Sequence, residues 1–278
     1  MIGQENLRKK LTTIIDNDKL SRFIIIEGEV GSGKKTLANV IIHKLQQKGF
    51  IDYRVPDVKI DTIRSMIQDA YTTKSDMVVL IPDAEKMSLA AKNSLLKIVE
   101  EPPNNIYFIL TTIDSNMLMS TIRSRASIYR MEGYSSEELK SYAQQFNTKS
   151  TDEELEVLKN ICKTPGDIQL FFEYKGLEFV EVVDKVVDNI SNAPLFNAMK
   201  IAENISMKDG AEGYDLAFFW EVFVYKCFQK AFNQKPLFNK YTIYMRTTLN
   251  ALRDLSITGI NKQMLFDKWL IELQEVEE

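Results

Sequence analysis

The sequence has few of the residues that usually build metal sites and disulfide frameworks. It contains two cysteines, Cys162 and Cys227, and a single histidine, His43, among 278 residues. Two cysteines are too few for a disulfide scaffold or a cysteine-based zinc site, so we expect both to lie in the core of a protein from a reducing compartment. A lone histidine without an acid–base partner is expected to be structural. The composition therefore predicts no resident metal ion.

Long apolar runs and an excess of positive charge are also missing. No run approaches the roughly 20 apolar residues that cross a bilayer, and the first residues do not have the layout of a signal peptide. The formal net charge is −4, which argues against strong binding of nucleic acid by the chain alone but leaves room for a few phosphate contacts within an assembly. The sequence therefore predicts a cytoplasmic protein without membrane contact.

A glycine-rich turn between an apolar run and a helix-forming run is the strongest single motif. The apolar residues Phe23 to Ile26 predict a strand, and the segment G-E-V-G-S-G-K-K-T follows at residues 28–36. Such a turn folds its backbone around an anion, with N–H groups pointing inward at the positive end of a helix. The sequence thus predicts a phosphate-binding loop. Its candidate phosphate-binding residues are Gly28, Gly31, Gly33, Lys34, Lys35 and Thr36.

Two positions that a P-loop ATPase needs are altered. Lys35 stands where the Ser or Thr ligand of Mg²⁺ belongs, and an ammonium group has no acceptor to offer a metal; Thr36 comes one place too late. A second apolar run, Met77 to Ile81, precedes Pro82 and Asp83, where such ATPases have two acidic residues for the metal and the attacking water. Only Asp83 remains, as a remnant of the Walker B motif.

Further motifs make the first half of the chain recognisable. The P-loop is followed by A-E-K-M at residues 84–87, N-S-L-L-K-I-V-E-E-P-P at 93–103, F-I-L-T-T at 108–112 and T-I-R-S-R at 121–125. Together these motifs resemble those of bacterial clamp-loader subunits of the AAA+ superfamily, most of all the delta-prime type of DNA polymerase III. The resemblance covers residues 1 to about 130 and is far more specific than a lone P-loop.

The resemblance implies an α/β P-loop domain of the AAA+ kind, with a parallel sheet and flanking helices, at residues 1–131. A small helical lid domain is expected at 132–176, and an all-α collar domain for oligomerisation at 177–278. Helical spacing of aromatic residues in the last region predicts a core stripe, and the resemblance to clamp loaders implies that part of this region forms an interface. This stripe comprises Phe219, Trp220, Phe223, Val224 and Phe228.

The resemblance also assigns a role to Arg125. In this family the arginine of a Ser-Arg-Cys motif enters the ATP site of the neighbouring subunit, and here the motif reads Ser124-Arg125-Ala126. A guanidinium delivered in trans offers planar, permanently charged donors to the γ-phosphate. Without the resemblance, an arginine in a surface salt bridge would be the better interpretation.

The partners implied are gamma/tau-like ATPase subunits and a delta-like subunit in a heteropentamer, together with the sliding clamp and primer-template DNA. In the family the helix after Walker B faces the central channel, so Lys86, Ser88 and Lys92 are candidate DNA contacts. The alternative is that these residues form only the solvated, charged start of a helix, and the sequence supports it about as well as DNA contact.

The departures from the family pattern favour a subunit that does not hydrolyse ATP and requires no cofactor. Besides Lys35 and Pro82, the lid has Asp167 where a basic nucleotide sensor is expected. The zinc module usual in delta-prime subunits is absent, since no cysteine lies between the P-loop and the Walker B strand. The retained glycines and Lys34 leave open the binding of ATP, ADP, phosphate or sulfate. A catalytically active AAA+ ATPase, either a clamp-loader motor subunit or another remodeller, is the alternative function.

Overall fold

The apolar runs of the first half form one parallel sheet. The computed structural model describes residues 2–148, 150–190, 205–206, 213–255, 257 and 259–276. Five parallel strands pair in the order β2-β3-β4-β1-β5. Their bounds are β1 Phe23–Glu27, β2 Ile51–Arg54, β3 Met77–Ile81, β4 Ile106–Thr112 and β5 Ser127–Arg130. Because β3 and β4 are buried along their whole length, the sheet is covered on both faces, as parallel sheets usually are.

Helices cover the two faces of this sheet. Their bounds are α1 Glu5–Asp16, α2 Lys34–Gln46, α3 Ile60–Thr72, α4 Leu89–Glu100 and the single turn α5 Ser120–Arg123. Alternation along β1 divides the packing, since successive side chains of a strand point to opposite faces. Ile24 and Ile26 pack with α1 and α2, whereas Phe23 and Ile25 pack with α3, α4 and α5. The predicted α/β class, with a parallel sheet and flanking helices, is confirmed.

The second half of the chain is mainly helical. The helices are α6 Ser136–Phe146, α7 Asp152–Ile161, α8 Pro165–Glu173, α9 Leu177–Asn189, α10 Leu216–Asn233, α11 Phe238–Leu255 and α12 Lys262–Gln274. Two short strands, Ile205–Ser206 and Tyr214–Asp215, pair in parallel. Three residues of the aromatic stripe predicted on α10, Phe219, Trp220 and Phe223, are fully buried, but Phe228 is 59% exposed. The stripe is therefore core over its first turns and surface at Phe228.

The chain divides into two compact units. These are Met1–Glu138 with Thr164–Gly166, and Leu139–Lys163 with Asp167–Glu278. The expected three domains, at residues 1–131, 132–176 and 177–278, stay a prediction. Cys162 and Cys227 both lie in the second unit, are buried, and form no disulfide. In the part of the chain that the structure describes, no helix has both the length and the apolar content needed to cross a membrane.

Candidate functional site

The P-loop lies at the carboxyl edge of the sheet, where ligands bind in open parallel α/β folds. It connects β1, a strand inside the sheet, to the first turn of α2. Gly31 and Gly33 have φ angles of 75° and 88°, a left-handed conformation that glycine adopts without a steric cost. Gly33 is the N-cap of α2. Gly31 and Gly33 therefore supply the left-handed turns that lead the chain into α2.

Lys34 points back into its own loop. Its Nζ donates hydrogen bonds of 2.7 Å to the carbonyl oxygens of Gly28 and Glu29, and the residue is only 7% exposed. Burial lowers the pKa of the Lys34 ammonium, and the negative charges of Glu85 and Asp83 oppose that shift. The ammonium group of Lys34 thus binds backbone carbonyls of its own loop.

Two more carbonyls of the loop are bonded within the first unit. The Tyr134 hydroxyl donates to the Ser32 oxygen at 2.6 Å, and the Gly166 N–H donates to the Gly31 oxygen at 3.1 Å. Gly31 lies close to both Gly166 and Thr164. A Cβ added to Gly31 would lie 2.5 Å from Thr164 Oγ1. Tyr134 and Gly166 therefore support the backbone of the P-loop.

An ion pair occupies the region where a P-loop ATPase organises its metal. Lys35 Nζ lies 3.0 Å from Asp83 Oδ2, and Lys86 Nζ lies 4.0 Å from the same oxygen. The Asp83 backbone is held in a left-handed conformation, with φ 48°, while its N–H donates to Thr111 Oγ1 at 3.0 Å. Thr36 is exposed on the next position of α2. An ammonium group beside the only Walker B carboxylate does not fit a site for Mg²⁺.

Another acidic side chain, that of Glu85, contributes to the electrostatics of Lys34. Glu85 is 4% exposed, and its Oε2 has no hydrogen-bond partner among the described residues. Within those same residues, no group of three or more His, Cys, Asp and Glu side chains is arranged to hold a metal ion. Asp167 accepts a 2.8 Å hydrogen bond from the Lys163 N–H, as expected for a helix N-terminus.

Arg125 follows the short helix α5 and reaches the surface. Its Nη2 lies 3.1 Å from Glu100 Oε1, with the two side chains 43% and 50% exposed. Its Nη1 donates to the Thr121 carbonyl oxygen at 3.2 Å. The motif predicted Arg125, whereas no motif assigned a role to Glu100. The signal for Glu100 was its place in the E-E-P-P motif, which does not identify its partner.

The candidate DNA-contact residues all have intramolecular contacts. Ser88 is the N-cap of α4, and its hydroxyl accepts from the Ala91 N–H at 3.2 Å. Lys92 Nζ donates to the Met117 oxygen at 2.9 Å, and Lys86 is the second cation beside Asp83. Contact of these residues with DNA stays a prediction.

Comparisons with known proteins agree with these motifs. A family model described as "DNA polymerase III, delta subunit" matches residues 50–135. DNA polymerase III subunit gamma of Buchnera aphidicola subsp. Schizaphis graminum is 26% identical over 247 residues, which are 76% of this chain and 61% of that protein. DNA polymerase III subunit delta' of Buchnera aphidicola subsp. Baizongia pistaciae is 45% identical over 56 residues, 20% of this chain and 17% of that protein. Together these similarities support a protein of the clamp-loader AAA+ kind.

The fold of this chain also has a solved counterpart. A mutant of Thermotoga maritima RuvB aligns over 77% of this chain and 87% of that chain, with a TM-score of 0.52 and 19% identity. At this identity the likeness shows the fold alone. The chain spans about three fifths of the gamma relative, 61%, so activity and partners do not transfer from that protein as a whole.

Proposed function

We propose that the chain is a delta-prime-like clamp-loader subunit that does not hydrolyse ATP and requires no cofactor. The observation that carries this proposal is the ion pair between Lys35 and Asp83, at 3.0 Å. Phosphoryl transfer depends on a metal ion that neutralises developing charge, together with a positioned water. Here a lysine pairs with the one carboxylate left for either task, and Pro82 has no group to replace the other.

The subunit would act on a neighbouring ATPase through Arg125. Its side chain is 43% exposed, and it follows α5, whose Ile122 is fully buried. A rigid base and an accessible cation are what a finger delivered in trans needs. Its partners would be gamma/tau-like ATPase subunits and a delta-like subunit in a cytoplasmic heteropentamer. This assembly would place the sliding clamp on primed DNA during replication.

Replacing Arg125 by alanine tests the role in trans. We expect Arg125→Ala to lower the DNA-dependent ATPase rate of the reconstituted clamp loader by about 10³-fold or more at each site that receives this arginine, without preventing assembly. Arg123→Ala is the matched control, because Arg123 lies in the same motif but donates to Asn116 within the chain. An unchanged rate for Arg125→Ala would contradict the proposal.

Nucleotide turnover by the isolated chain tests the alternative function. We expect no Mg²⁺-dependent hydrolysis of ATP above background by the purified subunit. Hydrolysis that disappears in Lys34→Ala would instead show an active ATPase whose metal is held by groups other than Lys35 and Pro82.

A further inference from the structure

Glu100 occupies a place where a carboxylate is unfavourable for its own helix. It is the last residue of α4, and Glu101 follows it as the C-cap. The carboxyl end of a helix carries a partial negative charge, so an acidic side chain there destabilises the helix, whereas a basic one would stabilise it. Pro102 and Pro103 come next in the sequence and prevent the helix from continuing. The stability of α4 therefore does not explain Glu100.

The contact that Glu100 makes is with Arg125. Its Oε1 lies 3.1 Å from Nη2 of the guanidinium, while Nη1 of the same group donates to the Thr121 carbonyl oxygen at 3.2 Å. An ion pair on one nitrogen and a hydrogen bond on the other therefore restrain the guanidinium. Because both side chains are about half exposed, the ion pair contributes little to folding.

The backbones that carry the two side chains are fixed to one core. Leu95 and Ile98 on the inner side of α4 are fully buried, as is Ile122 of α5. All three residues belong to the same apolar cluster, and Ala126 packs against it. The fold therefore presents the carboxylate to the guanidinium, and the pair does not depend on a flexible loop.

We propose that Glu100 is the positioning residue of Arg125, an inference that rests on the proposed role of Arg125 in trans. A free arginine side chain has many rotamers, and ordering it in the transition state costs entropy. The carboxylate restricts Arg125 before the neighbouring ATP site forms around it. A guanidinium has five N–H donors, so donors remain for phosphate oxygens while Glu100 and Thr121 hold the group in place.

The test compares variants of Glu100 in the reconstituted clamp loader. We expect Glu100→Ala to lower kcat of the neighbouring ATPase about tenfold with KM unchanged, because a mispositioned group costs rate in the transition state. Glu100→Gln keeps a side chain of the same length with an acceptor oxygen, so its kcat should recover most of the tenfold decrease. Glu101→Ala removes the adjacent carboxylate at the same helix end, and we expect it to leave kcat at the wild-type value.

Two results would overturn the role of Glu100. One is a kcat for Glu100→Ala equal to or above that of wild type while Arg125→Ala is inactive, because the finger would then act without Glu100. The other comes from the isolated subunit, through ¹⁵N relaxation of the Arg125 Nε–H group. We expect greater fast motion in Glu100→Ala than in wild type, and equal motion would show that the pair does not hold the guanidinium.

These two measurements separate the inference from the proposed function. If Arg125→Ala itself leaves the rate unchanged, the proposed function fails, whatever Glu100 does. The relaxation measurement requires no partner subunit. It therefore still shows whether Glu100 orders Arg125 if a variant fails to assemble.

Discussion

At the scale of single residues, the P-loop of this protein is characterised by the contacts of two lysines, Lys34 and Lys35. Lys34 donates to two loop carbonyls, and Lys35 pairs with Asp83 across 48 positions of sequence. An ammonium group has three N–H donors, so Lys34 retains one donor beside its two loop carbonyls. An anion at the loop would therefore share Lys34 with the Gly28 and Glu29 oxygens.

The burial of Lys34 makes a prediction about pH. Because burial lowers its pKa from the ordinary value of 10.5, the folded chain releases this proton at a lower pH than the unfolded chain does. Between the two pKa values the unfolded chain binds more protons, so stability rises with pH. We therefore expect wild type to gain stability relative to Lys34→Met as pH rises from neutrality toward 10.5.

Urea unfolding of wild type and Lys34→Met across that pH range measures this effect. The difference between the two free energies of unfolding isolates Lys34, since the titrations that both chains share cancel. A difference that stays level or falls with rising pH would contradict a lowered pKa.

At the scale of elements, the P-loop depends on a close approach of two backbones. Gly31, with φ 75°, has the Thr164–Gly166 segment within van der Waals distance, whereas Gly49, with φ 97°, has nothing within 4 Å of an added Cβ. Gly49→Ala should therefore cost only the strain of a left-handed alanine, about 1 kcal/mol. We expect Gly31→Ala to cost a further ~2 kcal/mol, because its Cβ would overlap Thr164 Oγ1 and Gly166.

Chemical denaturation of the two glycine variants measures this difference directly. Both substitutions remove a left-handed glycine, so Gly49→Ala serves as the matched control for the backbone strain. Equal losses of stability would show that the Thr164–Gly166 segment does not pack against the P-loop in solution.

Local sequence patterns predicted part of the sheet. The apolar runs at Phe23 and Met77 became β1 and β3. β5 was not predicted, because Ser127–Arg130 is four residues long and only one of its side chains is buried. Its place is fixed by pairing with β1, a long-range contact that no local pattern contains.

For the candidate site as well, sequence motifs predicted some features and not others. The motifs identified the loop glycines, Lys34, Asp83 and Arg125, since each has a fixed spacing from its neighbours. They did not predict the hydrogen bond from Tyr134 to Ser32, which joins positions 102 residues apart, or the partner of Arg125. Such contacts follow from the packing of the elements, so they can be found only once the fold is known.

At the scale of the whole molecule, the two units have separate hydrophobic cores, and their unfolding can be followed by different measurements. Phe108 is fully buried in the first unit, where its ring stacks on Phe23 at 5.5 Å between centroids. Phe223 is fully buried in the second unit, with its ring 5.1 Å from that of Trp269. Both tryptophans and both cysteines of the chain belong to the second unit. Tryptophan fluorescence and thiol labelling therefore report on the second unit alone.

We expect the substitution Phe108→Ala to destabilise the first unit and to leave the stability of the second unit unchanged. Phe108→Ala removes a buried ring, and such a change typically costs about 3–5 kcal/mol. Because each unit has a core of its own, an early transition should appear in far-ultraviolet circular dichroism, while tryptophan fluorescence and thiol labelling keep their wild-type urea midpoints. Phe223→Ala, the matched substitution, should lower the fluorescence and labelling midpoints. If Phe108→Ala moves all three probes together, the two units unfold as one cooperative structure, and the assignment of separate stabilities is wrong.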